Sequence, residues 1–403
     1  MSRRVTEQLT VVLAGSASLA IAMGVGRFAF TPILPMMLHD GTVDLVLAGR
    51  LATANYVGYL VGALAAMLMP KLWHQTMVIR AALVLTVGLT ALMALPFPAT
   101  WMALRFLAGV ASAIGFVFTS GWCLAKLSGS SSSIGSAIFT GPGAGIAVSG
   151  LAASAMTALS FTGQWGWVTF AFLSAAISAL IWRVFRKPSR AVEPFYVGNA
   201  GLPSGRVPRS EMPMFSLAYG LAGFGYIVTA TYLPVIAKNA IPNSPLLTAF
   251  WPLFGIAAVV GSLLASRART SADARLYLVG SYLVQAAGVA VSVIWQNAVG
   301  LGLSSILVGV PFTAISYFAM NEVRRIRSNH HARYMGLLTA VFAIGQIMGP
   351  PVVGMIFARQ SNADSAFALA LGIASVSLVV GAVILVAMIV MFPVKVHHRS
   401  QER

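Results

Sequence analysis

The sequence has few charged side chains, few acids and almost no cysteine. Only 9% of its 403 residues are charged, against roughly 25% in a soluble domain. Polar residues are therefore too few to coat an ordinary soluble core. The single cysteine, Cys123, lies in an apolar segment, which excludes an intramolecular disulfide and a cysteine metal site. A water-soluble globular fold is therefore excluded.

The nine Asp and Glu residues fall between the apolar segments or at their ends. A proton relay or an organic-cation site in a membrane normally places a carboxylate within a span. The six histidines lie in connections or in the C-terminal tail, and none has the His–Glu spacing of a zinc protease. We therefore expect no enzyme activity, metal site or cofactor. A membrane-embedded acyl- or glycosyltransferase would need a His/Asp or paired-acid cluster, which is not visible.

Apolar segments dominate what is present, with 58% hydrophobic residues and a mean hydropathy of +0.85. Each is long enough to cross a ~30 Å hydrocarbon layer as a helix of about 20 residues. They lack the alternation of a membrane barrel. The sequence predicts an all-α polytopic membrane protein with twelve transmembrane helices. Helix 1 ends near Pro35 and helix 3 near Pro96, helix 5 contains residues 140–145 and helix 12 ends near Phe392; the others span about Asp44–Met69 (2), Thr100–Lys126 (4), Gln164–Arg183 (6), Met214–Ala237 (7), Leu246–Ser266 (8), Ala274–Ile294 (9), Ala298–Asn321 (10) and Tyr334–Ala358 (11).

The basic residues indicate an orientation in the membrane. The formal net charge of +17 comes from 26 Lys and Arg residues, most of which fall on one side of the predicted spans. By the positive-inside rule, both termini and the hydrophilic connection at 186–211 are cytoplasmic. Anionic lipid on that face would attract the connection. Because the basic residues form no domain of their own, we expect no nucleic-acid binding.

A duplicated motif shows that the chain contains two copies of one plan. The run from Gly26 to Pro35 returns between Gly225 and Pro234, and the same shift of 199 residues carries Gly62 to Gly261. The sequence therefore predicts two six-helix bundles, residues 1–185 and 212–403, joined by the connection at 186–211. Parallel repeats of this kind occur in transporters that work by alternating access.

Several motifs resemble the major facilitator superfamily. The run Arg105-Phe106-Leu107-Ala108-Gly109 resembles that family's Arg-x-x-x-Gly motif, and Gly141-Pro142-Gly143-Ala144-Gly145 resembles its Gly-Pro motif. The run at 26–35 and the stretch at 55–59 look more narrowly like the YbfB/YjiJ branch of carriers. The resemblance implies the major facilitator fold, a bacterial inner-membrane location, a monomer, and a central cavity lined by helices 1, 4, 7 and 10.

One departure from the family pattern concerns the loop between helices 2 and 3. The family usually has Gly-x-x-x-Asp-Arg there, whereas this chain has Gly62-Ala63-Leu64-Ala65-Ala66-Met67, without the aspartate. The second copy, which begins at Gly261, has no acid at the equivalent place either. We therefore expect the cytoplasmic gate to close by other contacts.

Three arginines lie within predicted spans, where a charge is costly and usually faces a cavity, a partner or a ligand. They are Arg27, Arg50 and Arg105, and we predict that all three are buried. A guanidinium matches the planar geometry of a carboxylate or sulfonate. By repeat symmetry, Tyr226 and Thr229 lie opposite Arg27. Further polar candidates for substrate contact are Asn55, Tyr56, Gln285, Tyr317 and Gln346. For helix packing and bending, the candidates are Gly109, Gly141, Pro142, Gly145, Gly349 and Pro350.

These observations favour a secondary active transporter that moves a small organic anion by alternating access. The alternative is an efflux carrier for amphipathic or drug-like compounds, in which the arginines are structural or gating residues. A sensor without transport activity also stays open.

Overall fold

A computed structural model of the protein describes residues 3–68, 74–127, 137–186, 210–241, 244–268, 273–326, 331–360 and 362–393. In these ranges the chain is helical, and no strand occurs. The α-helices are α1 (Arg3–Leu19), α2 (Phe30–His39), α3 (Leu45–Leu68), α4 (Gln75–Leu92), α5 (Pro98–Lys126), α6 (Thr140–Ala158), α7 (Gly163–Ile181), α8 (Glu211–Ala240), α9 (Phe250–Ser266), α10 (Ala274–Ile294), α11 (Ala298–Ile326), α12 (His331–Phe357) and α13 (Ala363–Met391).

Eleven segments of the described chain are long and apolar enough to cross a membrane. The first, Val5–His39, comprises α1, a π-helical turn and α2. Each later α-helix corresponds to one predicted span. The twelfth span is α3, which packs along α5. The all-α fold with two six-helix bundles is therefore confirmed.

The first span is not one continuous helix, as the sequence had predicted, because it changes geometry near its middle. A π-helical turn covers Ala20–Val25, and turns cover residues 26–29. In this region Gly24 packs against the backbone of Gly145 in α6, so closely that an added Cβ would lie 2.5 Å from it. Side chains from α3 and α5 donate to the backbone at the break. The break therefore depends on neighbouring helices.

Close glycine contacts show the internal repeat in three dimensions. An added Cβ on Gly109 would lie 2.1 Å from the carbonyl oxygen of Asn55, and one on Gly309 would lie 2.6 Å from that of Phe254. Asn55 and Phe254 are related by the 199-residue shift. The same type of contact therefore joins α3 to α5 in one half and α9 to α11 in the other.

The two halves meet along three pairs of helices, α2 with α8, α3 with α12, and α6 with α9. The Thr31 hydroxyl donates to the carbonyl of Ala230 at 3.2 Å, and the hydroxyls of Tyr56 and Thr231 lie 2.8 Å apart. Because Thr31 and Ala230 are also related by the 199-residue shift, this contact lies close to the axis that relates the halves.

Two helices of the second half are longer than predicted. Compared with the predicted spans, α8 begins earlier, at Glu211, and α11 continues to Ile326. The additional turns carry charged residues that pair with Arg275 and Arg325. The predicted connection at 186–211 lies outside the described residues except at its two ends.

Candidate functional site

Arg27 lies at the break in the first span, buried where the two halves meet. Its side chain is 3% exposed, and its Nη2 donates to Oε1 of Gln346 in α12. The Nε2 of Gln346 donates in turn to the hydroxyl of Tyr226 in α8. A chain of three polar side chains therefore connects the first half to the second.

Tyrosine rings surround the guanidinium of Arg27. The guanidinium carbon lies 3.8 Å from the ring centroid of Tyr59 and 5.4 Å from that of Tyr56. A cation placed over aromatic faces at such distances is attracted by their quadrupoles. We call Arg27, Gln346, Tyr226, Tyr59 and Tyr56 the Arg27 site.

The guanidinium keeps unused hydrogen-bonding capacity. Its Nε and Nη1 are buried and have no hydrogen-bond partner among the residues that the structure describes. Within the same part of the chain, no acid pairs with Arg27, whereas acids do pair with Arg275 and Arg325. A buried charge without an acid partner is costly. The guanidinium can therefore donate further hydrogen bonds to a negatively charged group.

Aromatic rings continue from the Arg27 site into the second half. The ring of Phe28 lies 6.1 Å from Trp251 and 5.9 Å from Phe312, between centroids. Tyr226 lies 5.2 Å from Phe312 and 5.7 Å from Phe342. These rings place an apolar wall beside the guanidinium.

Arg105 is buried close to Arg27 but contacts its backbone. Arg105 Nη2 donates to the Arg27 carbonyl at 3.2 Å. Nδ2 of Asn55 donates to the carbonyls of Gly26 at 3.2 Å and of Arg105 at 2.9 Å. The Arg105 guanidinium carbon also lies 5.2 Å from the ring centroid of Phe30. Arg105 and Asn55 thus hold the backbone at the break and orient the segment that carries Arg27.

The other predicted residues lie at different places. Thr229 is buried one turn from Tyr226 in α8, and its hydroxyl has no hydrogen-bond partner among the described residues. Gln285 donates to the carbonyl of Val308, between α10 and α11. Tyr317 is half-buried in α11, with its ring 5.4 Å from that of the adjacent Phe318. The structure does not bring Gln285 into the Arg27 site.

Arg50 differs from the sequence-based interpretation. Its side chain is exposed, so the prediction that all three intramembrane arginines are buried is wrong for this one. The reason is its direction, since its side chain lies on an exposed face of α3, whereas the neighbouring Ala48 and Leu51 are buried. Whether Arg50 contacts substrate stays a prediction.

The glycines and prolines chosen for packing lie where helices approach closely. A Cβ added to any of the four glycines would come within 2.1 to 2.4 Å of a neighbouring atom. These pairs are Gly109 with Asn55 O, Gly141 with Ser16 O, Gly145 with Ala20 O, and Gly349 with Ile227 Cγ2. Pro142 occupies the first turn of α6, and Pro350 lies inside α12.

Sequence reasoning missed a charged cluster at one end of the second half. Arg275 is fully buried, and its guanidinium lies 2.7 Å from Asp273, 3.4 Å from Glu322 and 3.7 Å from Glu211. Arg325 also pairs with Glu211 and with Glu322, the latter at 2.7 Å. Partial burial opposes the charge of Asp273, but hydrogen bonds from Arg275 outweigh it and hold the pKa of Asp273 below its ordinary value. The sequence feature that could have revealed this cluster is the presence of acids and arginines at three helix ends: the start of α8, the start of α10 and the end of α11.

Of the tyrosines in the Arg27 site, Tyr56 and Tyr226 had been predicted from the sequence, whereas Tyr59 was missed. Tyr59 follows Tyr56 by one turn of α3, which is a spacing that places both rings on one face. Trp251, Phe312 and Phe342 carry no comparable signal, because aromatic residues are frequent throughout apolar helices.

Comparison with known proteins found one matching sequence family and a solved structure of similar fold. A family model described as "Uncharacterised MFS-type transporter YbfB" matches residues 19–386. The crystal structure of a point mutant of the nucleoside transporter NupG is similar, with a TM-score of 0.70 and 14% sequence identity, covering 95% of this chain and 99% of that chain. A search of curated proteins found no match. At 14% identity, the likeness to NupG shows the fold alone.

Proposed function

The chain belongs to the YbfB-type family of major facilitator transporters, and we propose that it moves a small organic anion of the carboxylate or sulfonate type. The observation that supports this proposal is the environment of the Arg27 side chain. It is buried between the two halves and lacks an acid partner in the described part of the chain. Two of its nitrogens are free to donate.

The physical argument starts from the cost of an arginine within a membrane span. This cost begins at about 2.5–3.5 kcal/mol for a residue at the centre of a helix. Tyr56 and Tyr59 offset part of it through their rings. An anion offsets more, because charge-assisted hydrogen bonds are stronger than neutral ones and the guanidinium fork fits a planar oxyanion.

The arrangement of the site across both halves supports alternating access. Arg27 comes from the first half, whereas Gln346 and Tyr226 come from the second. An anion held between Arg27 and Tyr226 contacts both bundles, so its binding energy depends on how the bundles are placed. Rocking of two repeat-related bundles about a midplane site is the general mechanism of such carriers.

An efflux carrier for amphipathic or drug-like compounds is the second candidate. The apolar wall of Phe28, Trp251, Phe312 and Phe342 favours it, since aromatic side chains bind apolar bodies of many shapes. In that case Arg27 stabilises the fold or the gate and makes no direct contact with the compound. The two candidates differ in whether binding depends on the guanidinium.

We further propose an orientation with both termini and the 186–211 connection in the cytoplasm of a bacterial cell, on the face where anionic lipid lies. The asymmetry of Lys and Arg supports it. We propose that the bundles comprise residues 1–185 and 212–403, because the contact of Gly109 with α3 recurs in the second half between Gly309 and α9. We also propose that the carrier is a monomer, as the resemblance to the family implies.

The test compares the affinity of an anionic ligand for the purified parent with its affinity for the Arg27→Lys and Arg27→Gln variants. A thermal-shift screen against carboxylates, sulfonates and amphipathic cations first finds a ligand, since a compound that binds the folded protein raises its apparent stability. Arg27→Lys keeps the charge but loses the fork, so we expect about 10- to 150-fold weaker anion binding, equivalent to roughly 1.5–3 kcal/mol. Arg27→Gln should bind more weakly still and remain folded.

Arg359→Lys is the matched control, because Arg359 is exposed at the end of α12. Its affinity should equal that of the parent. Two results contradict the proposal: Arg27 variants that bind the same ligand as tightly as the parent, or variants that fail to fold, which would make Arg27 structural. Amphipathic cations that bind independently of Arg27 would support the efflux carrier.

A further inference from the structure

Gln346 occupies one of the two edges at which the guanidinium of Arg27 can pair with an oxyanion. A guanidinium can pair with a planar oxyanion through two nitrogens, either Nε with Nη2 or Nη1 with Nη2. Nη2 carries two N–H groups, one on each of these edges. In this structure Nη2 donates to Gln346 Oε1, whereas Nε and Nη1 have no partner among the described residues. An anion that pairs at the edge facing Gln346 and Tyr226 must therefore displace the glutamine.

The orientation of the Gln346 amide follows from its two partners. Arg27 has only donors, so the amide oxygen must face it and the amide nitrogen must face Tyr226. The Tyr226 oxygen accepts this bond, which leaves its hydroxyl proton free to donate elsewhere. An anion in place of the amide group would meet Arg27 and the hydroxyl of Tyr226 as donors.

We propose that Gln346 is a built-in stand-in for the anionic group of the substrate. This inference rests on the proposed function, and it adds that the side chain competes with the substrate for Arg27. A carboxamide has the shape of a carboxylate without its charge, so it satisfies Arg27 less strongly than an anion does. In the empty carrier, the Gln346 amide then occupies Arg27 through a hydrogen bond that an anionic substrate can replace with a stronger one.

The competition also connects binding to conformation. Arg27 and Gln346 belong to different halves, so the bond between them holds the bundles together at the midplane. Substrate that takes this edge of the Arg27 guanidinium breaks the bond, so α12 loses one of its contacts with the first half. The apparent affinity is lowered by the fraction of carriers in which the glutamine occupies the site.

The first experiment needs no ligand and compares Gln346→Glu with Gln285→Glu. Both glutamines are buried within spans, but Gln285 is bonded to a backbone carbonyl and lies outside the Arg27 site. Gln285→Glu buries an acid without a cation, so its apparent Tm should fall. Gln346→Glu places a carboxylate on Arg27, so its Tm should lie at least about 4 °C above that of Gln285→Glu.

The advantage of Gln346→Glu should vanish when it is combined with Arg27→Gln, because the carboxylate then has no cation to pair with. If Gln346→Glu is as destabilising as Gln285→Glu, an anionic oxygen does not fit at this place and the inference is overturned.

The second experiment measures binding with benzoate and benzenesulfonate as probes. Gln346→Met removes the competing oxygen, so the probe that stabilises the parent should bind about 3- to 10-fold more tightly. Gln346→Glu should not bind it. Weaker binding by Gln346→Met would show that Gln346 is a direct substrate ligand and would overturn the inference. If neither probe stabilises the parent, the proposed preference for anions fails for these probes, while the ligand-free comparison still decides the role of Gln346.

Discussion

The charged cluster around Arg275 gives a sharp prediction for Arg275→Met. The arginine is fully buried between Glu211, Asp273 and Glu322. It also donates to two backbone carbonyls at the end of α13, those of Met388 at 3.0 Å and Phe392 at 2.9 Å. One side chain therefore ties together the ends of α8, α10, α11 and α13. Methionine fills a similar volume but leaves the carboxylates and the carbonyls without this donor.

The expected loss of stability depends on the charges that remain after Arg275 is replaced. Removing one partner of a buried ion pair costs about 3–5 kcal/mol, because an uncompensated charge stays behind. Arg325 still pairs with Glu211 and Glu322, so we expect the lower end, about 3 kcal/mol. At about 2–4 °C per kcal/mol for a unit of 150–250 residues, the apparent Tm should fall by about 6–12 °C.

The assay is thermal unfolding in detergent, with Arg267→Met as the control. Arg267 is exposed at the end of α9 in the same half, so its replacement should shift Tm by less than about 2 °C. The deficit of Arg275→Met should shrink with acid. Because Arg275 lowers the pKa of Asp273, its contribution is present above the ordinary value of 3.8 and is lost as the pH falls through the lowered pKa. A shift for Arg275→Met no larger than the control's would refute this account of the cluster.

Two further predictions concern topology and packing. In a Cys123→Ser background, a cysteine placed at Ser204 should react with an impermeant thiol reagent only after the cells are opened. Labelling in intact cells would contradict the proposed orientation and place this connection outside the cell. Gly109→Ala should lower the apparent Tm by several degrees, because the new Cβ overlaps the Asn55 carbonyl, whereas Gly88→Ala, which meets no atom within 4 Å, should not. Equal effects of the two alanines on Tm would contradict the packing role of Gly109.

Much of the fold could be predicted because it depends on properties that sequence carries directly. Span number depends on the length and polarity of each segment, and the repeat depends on glycine and proline spacing. The shift of 199 residues even relates Thr31 to Ala230, which contact each other across the two halves. Helix ends were less accurate, because charged turns such as those containing Glu211 and Arg325 resemble loops until their partners are known.

The details of the site depended on contacts between distant segments. At the π-helical turn, for example, Gly24 packs against Gly145, which is far away in sequence. Arg105 was predicted to share the cavity with Arg27, and the structure instead shows it bound to the Arg27 backbone. Sequence identifies a buried arginine by its surroundings along the chain, but it does not show which way the side chain points.

Arg27 and Arg275 provide a comparison within one molecule. Both are almost completely buried, and both carry the same charge. Around Arg275 the chain supplies three carboxylates, as expected for a cation that is needed for the fold. Around Arg27 it supplies an amide and aromatic rings, which hold a cation less strongly. The same chain thus satisfies one buried arginine and leaves donors of the other open. This contrast supports a ligand role for Arg27, because its Nε and Nη1 have neither a carboxylate nor a backbone carbonyl as partner among the described residues.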